Sequence, residues 1–427
     1  MFEQLFKNIF FLKRSLLGKE NNKALAAISK EVPLKMHSFR SESAVFDWTI
    51  PKEWILKKAT LKTEDGTIIC DASKNILRVV SHSAPCNKTL TYDELVKHLH
   101  YSDQLEDAIP YRTSYYSKSW GFCLTKTEYD SLDKNCKYVI DIESEFVDSF
   151  LNIGELKIPG KSEKEIIFTS YICHPMQAND GLSGVFCLLE LYKKLIDRDN
   201  FYTYRFFFLP ETIGPITLLA NSVIDKNNVD LCLVCTCVGH GKTINYKKTF
   251  LGDHPFDNIV LQNDYIKQID FFPNGSDERQ LSSPKIRIPT ASIMRAVYGD
   301  YKEYHTSLDN LQLVDYKNIK KIVDLYYNCL IDYEQRECFI IAHDGAEPFL
   351  AAKNLYRKTG GPADSKWDKL RNWVIFLSDG EHSILDMHKK TNFSFEELKK
   401  CAIILLESGV ILTEQNEHRN SSRERTL

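Results

Sequence analysis

The sequence predicts an α/β protein: a mixed sheet covered by helices, a β-rich small domain inserted near the N-terminus, and a C-terminal winged helix. Three observations predict it. Between Tyr138 and Gln335, apolar strand-like runs alternate with helical ones, the order of a sheet covered on both faces. From Ser43 to Asp130 the chain is instead strand-like and rich in turns. After residue 338, two helical stretches flank a short turn and lead into a Val-Ile-Leu strand, the order of a helix-turn-helix with a wing.

The elements follow in order. Phe2, Leu5, Phe6, Ile9 and Phe10 recur at helical spacing, so the chain opens on an amphipathic helix, and the helical region ends near Pro33. FDWTIP, ATLKT, TIICDAS and LRVVSHSAP are then expected as short strands, and TLTYDELVKHLH as a brief helix with a Thr cap. Next come strand EIIFTSYICH, helix LSGVFCLLELYKKLI, strand YTYRFFFLP, helix ITLLANSVID and strands LCLVCTCVG and PTASIMRAVYG. YKNIKKIVDLYYNCLIDYE closes the region as a helix. In the last unit, Gly360-Gly361-Pro362 reads as a loop, SILDMHKKT as one helix and FEELKKCAIILLESG as another. The expected domains are therefore 1–42 with 131–337, the insertion 43–130, and the winged helix 338–427.

Composition narrows the function. The 427 residues, 43% hydrophobic and 26% charged, are those of a globular protein of two or three domains. Lys+Arg 55 against Asp+Glu 58 leaves a net charge of -3, so no global field draws nucleic acid or anionic lipid. The second helix of the C-terminal pair lacks an Arg to read guanine, so a packing role, a homo-oligomer contact or a protein partner is expected there. No apolar run reaches the ~18 residues of a membrane span. Several of the 12 cysteines lie within apolar runs and no secretory leader can be drawn, so a reduced, cytoplasmic protein is expected.

The chemistry lies at the carboxyl ends of the α/β strands. In SYICHPMQANDGLSG, His174 ends a strand and Asp180 opens the following helix, ligand types that a catalytic zinc uses. Each also has a structural reading, as a hydrogen-bonded strand-end histidine and as an N-cap. In FFFLPETIG, Glu211 stands at the next strand end, as a base for an attacking water or as a helix-start carboxylate. In YGDYKEYHTSLDN, His305 follows Tyr304 in a polar loop. Asp277 and Glu278 lie in another loop, NGSDERQ, which reads equally as solvated surface.

Taken together, these residues resemble the zinc-dependent exopeptidases of the bacterial leucyl aminopeptidase type. FDWTIPKEW, AIPYRTSYY, WGFCL, GELKIPGKSEKEI, YICHPMQANDGLSG, YTYRFFFLPETIG, GSDERQ and YHTSLDN more closely resemble a bacterial family of aminopeptidase-like domain proteins often linked to polysaccharide biosynthesis. The resemblance implies that His174, Asp180 and His305 bind zinc and that Glu211 is the general base. It leaves Asp277, Glu278 and Tyr304 to meet the substrate. Two carboxylates of the paired-zinc enzymes are missing, with Thr212 and Thr236 in their places, so one zinc per chain is expected rather than two. The expected activity is hydrolysis of an amide bond beside a free amine in a small peptide-like or amino-acylated substrate. A deacylase or acyl transferase for an amino sugar is the enzymatic alternative, and a non-catalytic metal-binding module is the other.

Overall fold

Eight strands build the main sheet of the computed structural model, which describes residues 2–356 and 366–413; the expected Gly360-Gly361-Pro362 loop lies outside them. In chain order the strands are Lys35–Arg40 (β1), Phe150–Ile158 (β2), Glu165–Tyr171 (β3), Thr203–Leu209 (β4), Val229–Val234 (β5), Ile244–Lys247 (β6), Ile266–Ile269 (β7) and Thr290–Met294 (β8). In space they run β1-β2-β4-β3-β5-β8-β6-β7. β3 is parallel to β4 and β5, and β5 to β8, while β1, β2 and β6 pair antiparallel with their inner neighbours. The sheet is therefore mixed.

β3 and β4 are buried nearly end to end, which explains their unbroken apolar runs. The N-terminal stripe forms helix α1 (Glu3–Phe10), followed by α2 (Lys19–Ser29). Phe6 of α1 packs its ring 4.6 Å from Phe186 of α3 (Ser183–Leu195), the helix that follows β3. β1, β2, β6 and β7 escape the sequence reading because they carry polar residues toward the sheet margins, as KMHSFR and IKQI show.

The insertion has a sheet of its own, ordered Ile68–Asp71, Glu53–Thr63, Lys137–Val147 and Cys86–Thr91, all antiparallel. Its core gathers Leu61, Phe122, Leu124, Tyr138 and Ile140 with Trp54 and Trp120 at the margin. Lys137–Val147 pairs on both sides within this sheet, so the boundary expected at Asp130 moves toward Val147. LRVVSHSAP is not a strand: Ile76–Arg78 is a 3-10 turn, and Val79 and Ser81 make only isolated bridges. The two ends of the insertion lie side by side. Ser41 N–H donates to the Ser149 carbonyl at 2.8 Å, and Ser149 N–H to Ser41 Oγ at 2.9 Å.

The chain divides into two compact units, 1–252 with 264–328, and 253–263 with everything from 329 onward. The second unit thus begins before the expected 338 and takes in a segment from the middle of the chain. It pairs strand Cys338–Ile341 between Asp379–Ser383 and Ile411–Thr413, beside helices Lys366–Phe376, Ile384–Lys390 and Phe395–Glu407. Ser383 and Ser394 cap the last two helices in reciprocal boxes with Asp386 and Glu397. That is the winged-helix pattern.

One charge cluster ties four strands of the main sheet. Glu155 on β2 accepts from Arg205 Nε on β4 at 2.6 Å and lies 2.6 Å from His37 Nε2 on β1; Arg205 Nη1 also donates to Glu165 on β3 at 2.8 Å. Burial raises the Glu155 carboxyl, but His37 and Arg205 outweigh it and hold the group down from 4.5 to about 2. A carboxylate with a depressed pKa stabilises the fold above its unfolded value and loses that contribution as pH falls through the folded one. Glu155→Gln is expected to cost about 3 kcal/mol at neutral pH and to flatten the stability profile between pH 4.5 and 2, read by urea unfolding across that range.

Candidate metal and catalytic site

Three segments meet beyond the carboxyl end of β3. The strand hands on to Ile172, Cys173 and His174, with Ile172 N–H still bonded to Leu209. The guanidinium of Arg14, buried behind this turn and held down to about 10 by burial, donates Nη1–H to the Ile172 carbonyl at 2.9 Å. The chain then bends sharply through Asp180 (φ -77°, ψ 108°) and Gly181 (φ 84°) before entering α3. Only glycine fits at 181, because a Cβ would stand 2.7 Å from the Tyr171 ring.

Asp309 holds that bend. Its carboxylate accepts from the backbone N–H of Asn179 at 2.6 Å, Asp180 at 2.9 Å and Ala178 at 3.2 Å, and from Tyr301 Oη–H at 2.9 Å. Asn179 Oδ1 in turn accepts from Gly239 and His240 N–H, fastening the bend to the end of β5. Sequence reasoning missed Asp309, although it lies within YHTSLDN four residues after His305.

His174, Asp180 and His305 come together with their ligand atoms within 4.8 Å of one another. Asp180 is the centre. Its Oδ1 accepts from Tyr171 Oη–H, and Thr236 Oγ1 lies 2.8 Å from the same phenol oxygen. Its Oδ2 lies 2.9 Å from His305 Nε2 and 3.9 Å from His174 Nε2, yet Asp180 Oδ2 and His305 Nε2 make no aligned hydrogen bond. Burial would raise the Asp180 carboxyl, but His174 and His305 hold it at about 2; burial lowers His174 to about 4. Two imidazole nitrogens and a carboxylate oxygen converge here, ligand types that could hold a metal ion, and two of the three atoms, Asp180 Oδ2 and His305 Nε2, lack hydrogen-bond partners.

Glu211 stands beside this cluster, Oε2 3.6 Å from His174 Nε2. Ser276 Oγ–H donates to its Oε1 at 2.8 Å, and its own N–H donates to Cys173 Sγ at 3.3 Å. Burial, then the negative charge of Asp180, raises its carboxyl to about 7. The side chain remains 26% exposed, so water reaches it. Thr212 follows in a strained left-handed conformation (φ 67°), unusual for a β-branched residue and fixed by its N–H bond to Asp277 Oδ1 at 2.7 Å.

The remaining predicted residues divide. Tyr304 stacks on the His305 ring, with centroids 4.0 Å apart. Asp277 and Glu278 are fully buried rather than solvated. Asp277 supports Thr212, and Glu278 accepts from Ser292 at 2.7 Å and Tyr298 at 3.0 Å with Lys247 at 3.7 Å. The insertion also reaches the site. Tyr111 N–H donates to the His305 carbonyl at 2.7 Å, and its ring stands edge-on to His174 and His305 at 5.3 and 5.2 Å.

A family model described as a domain of unknown function, DUF4910, matches residues 3–336. The chain belongs to that family. A winged helix-turn-helix model matches residues 341–413. Over 405 residues the chain is 39% identical to a Clostridium acetobutylicum protein named for polysaccharide biosynthesis and an aminopeptidase-like domain, covering 93% of each. A crystal structure from the same organism, carrying a provisional peptidase name, is similar at 37% identity with a TM-score of 0.76, over 96% of this chain and 95% of that one. BSAP, a zinc aminopeptidase from Bacillus subtilis, shares the fold at 15% identity and a TM-score of 0.56, over 77% of this chain and 93% of that one. This member of the family therefore has an aminopeptidase-like fold followed along the chain by a winged helix.

Asp309→Ala would strand the N–H groups of Asn179 and Asp180 at once, while Ala178 N–H keeps its bond to the residue 309 carbonyl at 2.9 Å. The substitution is expected to cost about 3 kcal/mol in urea unfolding and to weaken zinc uptake measured by competition with a chromogenic chelator, because Asp180 loses its support.

Proposed function

We propose that the chain is a single-zinc hydrolase that cuts an amide bond beside a free amine. The observation that carries this reading is the pair of partnerless donors, Asp180 Oδ2 and His305 Nε2, facing His174 Nε2 with Glu211 alongside. His174, Asp180 and His305 would hold the metal. When bound, zinc supplies a Lewis acid toward water and toward the carbonyl of the bond to be cut.

Glu211 takes one proton from the attacking water as its oxygen bonds to the carbonyl carbon. The same carboxyl then gives the proton to the leaving nitrogen as the C–N bond breaks, so Glu211 ends as it began. Ser276 orients the base through Oε1, leaving Oε2 toward the histidines. Tyr171 and Thr236 fill the ground beside Asp180 Oδ1, where a second metal would need that oxygen, which supports one ion per chain. Asp277 and Glu278 are engaged with neighbours and do not support the ammonium-binding role considered for them.

The name of the Clostridium acetobutylicum relative favours a second reading, in which the same residues remove an acyl group from an amino sugar. A reducing, cytoplasmic setting is proposed on the free state of all the cysteines; none of the described helices is long and apolar enough to cross a membrane. The winged helix is proposed to contact a second copy or another protein.

Metal analysis of the purified chain is expected to find about one zinc, and His174→Ala or His305→Ala to remove most of it. Two ions per chain would overturn the assignment of Tyr171 and Thr236. Glu211→Gln is expected to retain zinc while lowering turnover ~10²-fold or more, assayed on amino-acyl p-nitroanilides and on N-acetylated amino sugars in parallel. Undiminished turnover in that variant would remove Glu211 as the base.

A further inference from the structure

A groove of about 270 Å³ opens in the insertion, lined by His82, Ser114, Tyr115, Tyr116, Lys118 and Phe146 among others. It shares a wall with the metal cluster. Tyr115, on the groove side, joins its hydroxyl to that of Tyr111 at 2.6 Å, and Tyr111 touches both histidine rings. The wall is firmly placed, because Ile109 and Tyr111 hydrogen-bond across to Ser307 and His305.

The lining has two characters. Tyr116 is 55% exposed and Phe146 42%, so aromatic faces are open to a ligand. Behind them His82 is buried between Trp54, stacked at 5.5 Å, and Tyr115, edge-on at 4.7 Å. Burial lowers His82 to about 3, so the floor is uncharged. The polar lining consists of Ser114, which is buried with its hydroxyl on the Ser81 carbonyl, and of Ser117 and two lysines at the rim. Lys52 is neutralised by Asp148 at 3.0 Å and Glu42 at 3.4 Å, whereas Lys118 has no acidic partner among the described residues.

We infer that this groove is a subsite for a sugar ring bearing an acidic group, held by aromatic faces at Tyr116 and Phe146 and by Lys118. A pyranose offers C–H faces to aromatic rings and hydroxyls to a serine rim, which matches the mixture here. Its carboxylate or phosphate gives Lys118 the counter-charge the fold withholds. The inference rests on the hydrolase reading only in that the groove would hold the part of the substrate beyond the bond that is cut.

Trp48 and Trp54 lie against Tyr116 and His82 and serve as reporters. The full chain is titrated with D-glucuronate, D-glucose, acetate and N-acetyl-phenylalanine while tryptophan emission is followed, with zinc present and after chelation. Saturable binding of D-glucuronate is expected, weakened about tenfold in Lys118→Ala to the level of D-glucose. Tyr116→Ala is expected to weaken both sugars. Equal affinity for the two sugars with no effect of Lys118→Ala would overturn the inference. Acetate or N-acetyl-phenylalanine binding as tightly as D-glucuronate, or no saturation with either sugar, would overturn it equally. Zinc content and amide turnover are measured on the same samples, so failure of the hydrolase reading shows there and not in the sugar titration.

Discussion

The carboxylate of Asp309 gathers the N–H groups of Ala178, Asn179 and Asp180, and the site depends on that one act of collection. Without it the sharp bend before α3 would leave buried donors without acceptors, a cost the backbone does not tolerate. With it, Asp180 is turned away from its helix and toward two histidines. Asp309 comes from the same loop as His305, so one loop supplies a donor atom and also fixes the position of another.

A second constraint is electrostatic. Asp180, Glu211, Asp277 and Asp309 crowd one region. Burial pushes Glu211 and Asp309 up to about 7 and Asp277 well above the usual carboxylate range. Arg14 is the buried cation behind the strand end, and it is spent on a carbonyl rather than on an acid. A divalent ion held by His174, Asp180 and His305, as proposed, would offset this crowding of acidic groups. Among these acids only Asp180 sits low, at about 2, because two imidazoles face it.

Much of this was legible in the chain. β3, β4 and β5 announced themselves because both faces are covered, and His174 and Glu211 stood out because each sits where an apolar run ends, whereas Asp180 at a helix start and His305 in a polar loop were singled out by the resemblance. The helix stripe from Leu5 to Phe10 read correctly for the same reason, a single buried face at helical period. What was illegible depends on long-range partners. Lys137–Val147 joins the small sheet only because Glu53–Thr63 and Cys86–Thr91 flank it, and nothing local in its sequence says so. Asp277 and Glu278 look solvated beside Arg279, yet their partners are Thr212, Ser292 and Tyr298, up to 65 residues away along the chain. Tyr171 is apolar in pattern and polar in use, since its ring packs in the core while its hydroxyl reaches Asp180.

The side-by-side ends of the insertion at Ser41 and Ser149 bear on how the chain reaches this state. β1 and β2 pair with Lys35 opposite Glu155, so their ladder must wait for a loop that contains the whole small sheet. Closing a slack loop of that length is slow, whereas closing one already collapsed around its own core is nearly a local event. The topology therefore predicts nested assembly, in which the small sheet condenses before its neck brings β1 to β2 and closes the antiparallel margin of the main sheet.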